Sequence, residues 1–290
     1  MPAMIVDIHP HIISPDTARY PITPLGGKRS GWSEKRPVDF PGLVAQMDAG
    51  GVAKAAIVHS STTYGYNAAY VADAIAGHED RFTGVFSIDI RAADGPAQIR
   101  HWVGRGLAGL RLFAAGSTVK ASQAWIADPA TYPSWDCCAD LGIPIALSLR
   151  LEGLPYLTDM MDRFPAVPVI VDHLMLTPID DGPPYRASAG LFDLARYPQV
   201  FLKLTTNNIR RAHDGLATPE SFFGSLVETF GAERIGWGSN FPNEEGTLAE
   251  MVAEATAMLS FLPGRDQDAI FGGTALRLYP ALAAAAEATA

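Results

Sequence analysis

The sequence has 290 residues, of which 48% are hydrophobic and 18% are charged, and its formal net charge is −9. This is enough apolar material for a large core, either one α/β barrel or two small domains. The acidic balance makes nucleic acid and anionic membranes poor partners, although a local arginine can still bind an anionic substrate.

Cysteine usage and hydropathy place further limits on the class of protein. The two cysteines, Cys137 and Cys138, are adjacent, and adjacent cysteines rarely bridge each other, so we expect packing residues rather than a disulfide framework. No secretion signal precedes the first apolar run, and no run approaches the roughly 18 residues of a membrane span. We expect a cytoplasmic protein that acts on a small molecule, without nucleic-acid or membrane partners. The sequence is compatible with a monomer or a homo-oligomer.

Strand-sized apolar runs alternate with helix-period segments along the whole chain. The predicted strands are Met4–His9, Ala55–Ser60, Phe82–Asp89, Ala108–Phe113, Ile143–Leu149, Val167–Asp172, Val200–Thr205 and Arg234–Trp237. The predicted helices contain Val44–Asp48, Asn67–Gly77, Pro96–Gly104, Ala130–Leu141, Leu154–Phe164, Ala187–Tyr197, Pro219–Phe230 and Thr247–Leu262. Continuous apolar runs are typical of strands buried on both faces. Eight such alternations predict a single-domain (β/α)₈ TIM barrel over residues 1–290, and the Ala-rich end from Ala281 to Ala290 reads as a frayed helix.

One long insertion interrupts this pattern after the first strand, at residues 12–40. It is rich in proline and glycine, a composition that resists helix and favours an ordered, extended loop. At the rim of a barrel, such a loop is either a lid or pocket wall, or a surface decoration.

The first strand ends in the pattern Asp7-Ile8-His9-Pro10-His11. In extended chain, residues two apart point to the same side, so the imidazoles of His9 and His11 are predicted to lie together. Such a pair can bind a metal, polarise a carbonyl or shuttle a proton, or it can be two inert loop histidines.

Other strand ends carry polar residues at the rim where barrel enzymes place their chemistry. His59, Ser61 and Tyr64 follow the second strand and are predicted to contact a polar ligand, although hydroxyl-rich segments are also ordinary turns. Arg111 interrupts the apolar fourth strand, where its guanidinium either binds a substrate carboxylate or forms an internal salt bridge.

The last three strands complete the predicted site. His173 follows a run of branched apolar residues and is well placed to join His9 and His11. Lys203 on the seventh strand belongs either to the rim or, equally, to a polar layer low in the barrel. Asn240 follows the eighth strand in Trp237–Pro242, where Gly238 lets the backbone turn.

Together these motifs resemble the amidohydrolase superfamily, and more narrowly its branch of lactone hydrolases, which includes 2-pyrone-4,6-dicarboxylate lactonases and sugar-acid lactonases. The resemblance covers about Met4 to Tyr279 and rests on four motifs, Val6–His11, Gly109–Leu112, Val171–His173 and Trp237–Pro242. It implies the following roles: metal ligands for His9 and His11, carbonyl polarisation or metal binding for His173, substrate carboxylate binding for Arg111, and ligand contact for Ser61.

The chain departs from this family at position 240. The family pattern has Asp there as the general base on water, whereas Asn240 cannot accept a proton near neutral pH. Three interpretations follow. The protein binds or isomerises its substrate without activating water in this way, or it uses His9, His11 or His59 as the base, or Asn240 is an introduced Asp-to-Asn change.

We therefore expect a hydrolase of a small carboxylated lactone or related cyclic ester, with His9, His11, His173 and Asn240 as catalytic residues. A lactone isomerase or a decarboxylase on the same site is the alternative, and a ligand-binding relic without turnover is a third. The three histidines His9, His11 and His173 either bind one divalent ion such as Zn²⁺ or form a metal-free cluster. Both alternatives are kept because the fifth strand offers no histidine and the eighth no carboxylate.

Overall fold

A computed structural model of the protein describes residues 2–116, 118 and 122–284. Its eight strands are β1 (Val6–Asp7), β2 (Lys54–Val58), β3 (Phe82–Phe86), β4 (Leu107–Phe113), β5 (Ile145–Ser148), β6 (Val169–Val171), β7 (Val200–Thr205) and β8 (Ile235–Gly238). The strands pair in parallel in chain order, and the Ile8 N–H donates to the Trp237 carbonyl over 3.3 Å, so β1 meets β8 and the sheet forms a barrel. The predicted TIM barrel is confirmed.

Helices surround the sheet because each crossover between parallel neighbours must pass over its face. They are α1 (Gly31–Lys35), α2 (Phe40–Gly50), α3 (Ser61–Tyr64), α4 (Ala69–Ile75), α5 (Gly95–Val103), α6 (Tyr132–Leu141), α7 (Leu154–Arg163), α8 (Ala189–Asp193), α9 (Thr206–Arg210), α10 (Pro219–Phe230), α11 (Leu248–Met258), α12 (Gly264–Asp268), α13 (Thr274–Leu278) and α14 (Pro280–Ala284). Within the described ranges, no helix combines the length and the apolar content needed to cross a bilayer.

Several boundaries differ from the sequence-based prediction. β1 is only two residues long, because the N–H of His9 donates to the side chain of Asp7 instead of continuing the ladder. The insertion at residues 12–40 is not wholly extended, since it contains the short helix α1 and a 3₁₀ turn at Leu25–Gly27. The predicted C-terminal tail is helical to Ala284, and its remainder lies outside the described residues.

The interior of the barrel contains an apolar cluster, which we name the lower cluster. It comprises Val6, Ile8, Ala56, Val58, Val85, Ala146, Ile170, Phe201, Ala275, Leu278, Tyr279 and Leu282. The strand residues come from six strands, and Ile8 directly follows β1. The segment from α13 to α14 supplies the rest, so the C-terminal segment packs against the barrel itself. Cys137 and Cys138 are free and buried in the larger core outside the sheet, as expected of packing residues.

Candidate active site

A cavity of about 340 Å³ opens where the carboxyl ends of the strands meet. The predicted site residues His11, Ser61, Arg111, His173 and Asn240 all line it, although they come from five different strand ends. The tertiary structure therefore brings together side chains that are up to 229 residues apart in the chain (240 − 11).

His11 is held with one nitrogen available to the cavity. Its Nδ1 lies 2.7 Å from the carbonyl oxygen of Val58, which can only accept, so Nδ1 carries the proton and Nε2 carries the lone pair. The ring stacks on Trp32 of α1, with centroids 5.1 Å apart and planes 27° apart. Trp32 also lines the cavity, so part of the insertion forms its wall.

His173 is held in the same tautomer by a chain of hydrogen bonds. The Thr205 hydroxyl donates to Asn208 Oδ1 over 3.0 Å, so it accepts from His173 Nδ1, also at 3.0 Å, and Nε2 again carries the lone pair. In this tautomer, neutral His173 accepts hydrogen bonds at the cavity and does not donate them.

The backbone around His173 adopts a costly conformation. His173, Leu174, Met175 and Leu176 have φ values of 55°, 50°, 56° and 47°. A left-handed residue other than glycine costs about 1–2 kcal/mol, so the turn needs support from its surroundings. Asn208 Nδ2 donates to the carbonyl of His173 over 2.9 Å and supplies part of that support.

At the floor of the cavity, Asp172 is the centre of a buried ion cluster. Arg111 Nε donates to Asp172 Oδ2 over 2.8 Å, and Lys203 Nζ lies 2.8 Å from Asp172 Oδ1, as an ion pair without hydrogen-bond alignment. Burial acts to raise the pKa of Asp172, but the charges of Lys203 and Arg111 hold it well below its usual range. Burial lowers the pKa of Lys203.

His9 and Asp7 lie in the same buried layer, at the junction of β1 with β8. His9 Nδ1 is 3.8 Å from Asp172 Oδ1, and its ring centroid is 4.8 Å from that of His173 and 4.9 Å from that of His11. Asp7 Oδ1 accepts from the N–H groups of His9 at 2.9 Å and Ser239 at 2.8 Å, which joins the two strands.

Burial dominates the titration of this layer. It raises the pKa of Asp7 to about 6, against hydrogen bonds from Ser239 and His9. Burial lowers the pKa of His11 to about 3 and that of His173 to about 4, and it lowers the pKa of His9 strongly, each with help from Arg111. The site histidines are therefore neutral at pH 7.

The end of β8 approaches β1 closely. A Cβ atom on Gly238 would lie 2.7 Å from the Cβ of His9, so a larger residue would displace the histidine. The turn that we predicted for Gly238 occurs instead at Asn240, with φ 59°. Asn240 is buried, and its Nδ2 donates to Glu244 Oε1 over 3.1 Å.

The three residues predicted from the end of β2 separate in space. Ser61 lines the cavity and donates to Ser87 Oγ over 2.9 Å. His59 and Tyr64 lie outside the lining: His59 Nε2 donates to the Gly65 carbonyl over 2.9 Å, and the Tyr64 hydroxyl accepts from Ser14 N over 2.7 Å. Both make contacts that hold the rim segments in place.

Sequence reasoning assigned no role to Asp172, Arg150, Trp32 or Glu244, although all four line the cavity. The pairing of Asp172 could have been inferred from the sequence, since a carboxylate that ends an apolar strand is the natural partner of a buried arginine on a neighbouring part of the sheet. No sequence pattern indicated a role for Trp32 or Glu244, because both lie in segments between strands whose path is decided by tertiary contacts.

The donors for a metal are His9, Asp172 and His173, whose ligand atoms lie within 4.8 Å of one another. His11, for which the family resemblance implies a ligand role, is not in this group. The two nitrogens of His9 have no hydrogen-bond partner among the described residues, as an open ligand would. However, Lys203 and Arg111 already bind both oxygens of Asp172, and two cations beside the same carboxylate oppose a divalent ion. The donor atoms suit a metal but the charges do not, so the residues present do not fit a divalent ion.

Comparison with known proteins gives relatives at the level of sequence and of fold. The L-fucono-1,5-lactonase of Burkholderia ambifaria is 26% identical over 166 residues, which are 55% of this chain and 57% of that protein. The chain thus matches little more than half the length of that curated relative.

Solved structures show the same fold over nearly the whole chain. A candidate 2-pyrone-4,6-dicarboxylic acid hydrolase from Pseudomonas putida superposes with a TM-score of 0.77 at 18% identity, covering 97% of this chain and 99% of the other. An amidohydrolase from Burkholderia multivorans with bound zinc superposes with a TM-score of 0.74 at 21% identity, covering 96% and 99%. The model of the amidohydrolase family matches residues 6–281. The chain belongs to the amidohydrolase family.

Proposed function

We propose that this protein hydrolyses a small lactone that carries a carboxylate. The observation that carries the proposal is the cavity lining, in which the guanidinium groups of Arg111 and Arg150 face the same space as two neutral histidines and Asn240. The lactonase relative and the family membership support the same class of reaction.

The two arginines suit different parts of such a substrate. Arg150 is exposed at the mouth of the cavity, where it can bind a carboxylate. Arg111 is buried and fixed by Asp172 through Nε, which leaves its Nη groups for the carbonyl oxygen, where negative charge develops. A donor that is already fixed stabilises an oxyanion best, so we assign Arg111 to the carbonyl rather than to the carboxylate.

The remaining groups suit the water molecule. His11 and His173 present Nε2 lone pairs and accept hydrogen bonds, and Asn240 keeps its Oδ1 as an acceptor because its Nδ2 donates to Glu244. In hydrolysis, the water oxygen bonds to the carbonyl carbon, the ring C–O bond breaks, and the products are a hydroxy carboxylate and one proton.

The test is acid release from a panel of lactones, each offered with and without a carboxylate, followed by pH titration and NMR. We expect one equivalent of acid per opened ring and faster turnover of the carboxylated members. Isomerisation gives a new ring without acid, and decarboxylation gives CO₂, so either result, or no turnover, contradicts the proposal.

A substitution tests the carboxylate assignment. Arg150→Gln is expected to reduce kcat/KM about 10–100-fold for carboxylated lactones only, since a charged hydrogen bond contributes about 1.5–3 kcal/mol. Arg100→Gln, at an exposed position on α5, is the matched control and should change neither substrate group.

A further inference from the structure

The loop after β8 places a carboxylate directly beside Asn240. The carbonyl of Asn240 accepts from the N–H groups of Asn243 at 2.8 Å and Glu244 at 3.3 Å, which closes a single turn. This turn brings Glu244 Oε1 to 3.1 Å from Asn240 Nδ2. The carboxylate that is missing at position 240 is therefore present one turn later.

Two arginines hold this loop in place. Arg36 donates to the carbonyls of Pro242 at 3.2 Å and Asn243 at 2.6 Å, and it forms an ion pair with Glu245 at 3.0 Å. Arg210 Nη2 donates to the carbonyl of Glu245 over 2.8 Å. Glu244 thus lies between two anchored residues, and its position does not depend on an unsupported loop.

Glu244 is half-buried and lines the active-site cavity. The charged and titratable groups that line the same cavity are His11, Arg111, Arg150, Asp172 and His173. Among the ion pairs of the described residues none includes Glu244, whereas Asp172 is bound by two cations. Of these two carboxylates, only Glu244 has no cation bound to its oxygens within the described ranges.

We propose that Glu244 is the general base that takes a proton from the attacking water. This inference rests on the proposed lactone hydrolysis. Asn240 Oδ1 accepts one hydrogen of the water, and Glu244 removes the other as the oxygen bonds to the carbonyl carbon. When the ring C–O bond breaks, the proton passes from Glu244 to the leaving alkoxide, which regenerates the carboxylate.

The primary test compares three substitutions on the best lactone substrate. We expect Glu244→Gln to lower kcat at least 100-fold with little change in KM. Glu244→Asp keeps the carboxylate and should retain part of the activity. Adding Asn240→Asp to Glu244→Gln should restore kcat at least tenfold. A kcat within threefold of the parent protein in Glu244→Gln overturns the inference.

Glu245→Gln is the matched control. Glu245 is the neighbouring acid of the same loop, but it is exposed and paired with Arg36, so its substitution should leave kcat within about twofold. Thermal melting of all variants identifies any loss of folding.

A binding measurement separates failure of the base from failure of the lactone hypothesis. We use citrate as a carboxylate probe in calorimetric titration. If Glu244 faces the ligand, Glu244→Gln should bind citrate several-fold more tightly, because like-charge repulsion is removed, and Glu245→Gln should not. Tightening without lactone turnover refutes only the lactone function. Equal affinities in the two variants overturn the placement of Glu244, and absence of both binding and turnover overturns both proposals.

Discussion

Two layers of the barrel interior are built from neighbouring positions of the same strands, yet one is apolar and the other is charged. On β6 and β7, Ile170 and Phe201 belong to the lower cluster, and Asp172 and Lys203, two residues further on, form the ion cluster. Residues two apart share one face of a strand, so the chemistry changes completely within about 7 Å. The lower cluster stabilises the fold through apolar burial. The layer above it, which contains the ion cluster of Arg111, Asp172 and Lys203 and which we name the upper layer, destabilises the fold because it buries charge.

The largest expected effect comes from breaking the upper layer at its centre. Asp172→Asn leaves Arg111 and Lys203 buried without an anionic partner, which should lower the free energy of unfolding by about 3–5 kcal/mol. Denaturant unfolding at pH 7 measures this. Adding Lys203→Met should recover part of the loss, since one uncompensated charge is then removed. A single variant as stable as the parent protein would refute the ion cluster.

Breaking the lower layer should affect stability alone. Leu278→Ala removes a buried side chain of the lower cluster and should cost about 2–5 kcal/mol, while kcat of the folded protein stays unchanged. Leu216→Ala, at a side chain that is 74% exposed, is the control and should change neither property. A large fall in kcat for Leu278→Ala at a temperature where it is folded would show that the layers are not independent.

The buried histidines near the cavity should make the free energy of unfolding depend on pH. Burial holds the pKa values of His11, His59 and His173 at about 3, 4 and 4, against about 6.5 in the unfolded chain. Their contribution to stability is complete above pH 6.5 and is lost as the pH falls towards 4, because only the unfolded chain then binds protons. Asp7, with a pKa raised to about 6, acts in the opposite direction and loses its contribution as the pH rises from about 4 to 6.

On acidification, the stability lost through the three histidines exceeds the stability gained through Asp7. The melting temperature should therefore fall by about 5 °C or more between pH 7 and pH 5. His59 lies outside the cavity lining, and His59→Gln should reduce this slope because one buried imidazole is removed. A melting temperature that rises on acidification would contradict the neutral, buried state of these imidazoles.

A smaller change tests how His173 is oriented. Thr205→Val removes the acceptor of the His173 Nδ1 proton and should lower kcat about tenfold, the effect of one neutral hydrogen bond. ¹⁵N NMR of the imidazole should show loss of the single Nδ1–H tautomer. If the tautomer persists, the proton is held by a group other than Thr205.

The smallest expected effect lies at the boundary between the layers. The Tyr279 hydroxyl is buried and has no hydrogen-bond partner among the described residues, so Tyr279→Phe should stabilise the protein by up to about 1 kcal/mol. Denaturant midpoints measure this change. A destabilised variant would indicate that the hydroxyl is hydrogen-bonded.

The β–α alternation and most of the site could be predicted from sequence because both depend on local pattern. Apolar runs identify strands, and polar residues at their carboxyl ends meet at one rim in any parallel barrel, which is why His11, Arg111, His173 and Asn240 could be assigned to one cavity in advance. Local pattern could not separate Ser61 from His59 and Tyr64, since the short helix α3 that turns them in different directions reads as a loop.

By itself, the sequence determined the barrel, the family and the set of strand ends that carry chemistry, because a periodicity of two and the position of a polar residue are properties of single segments. Only the tertiary structure decided the partners: Asp172 with Arg111 and Lys203, Trp32 with His11, and Glu244 with Asn240. Charge pairing and proton placement depend on distances between segments far apart in the chain, and no local pattern contains those distances.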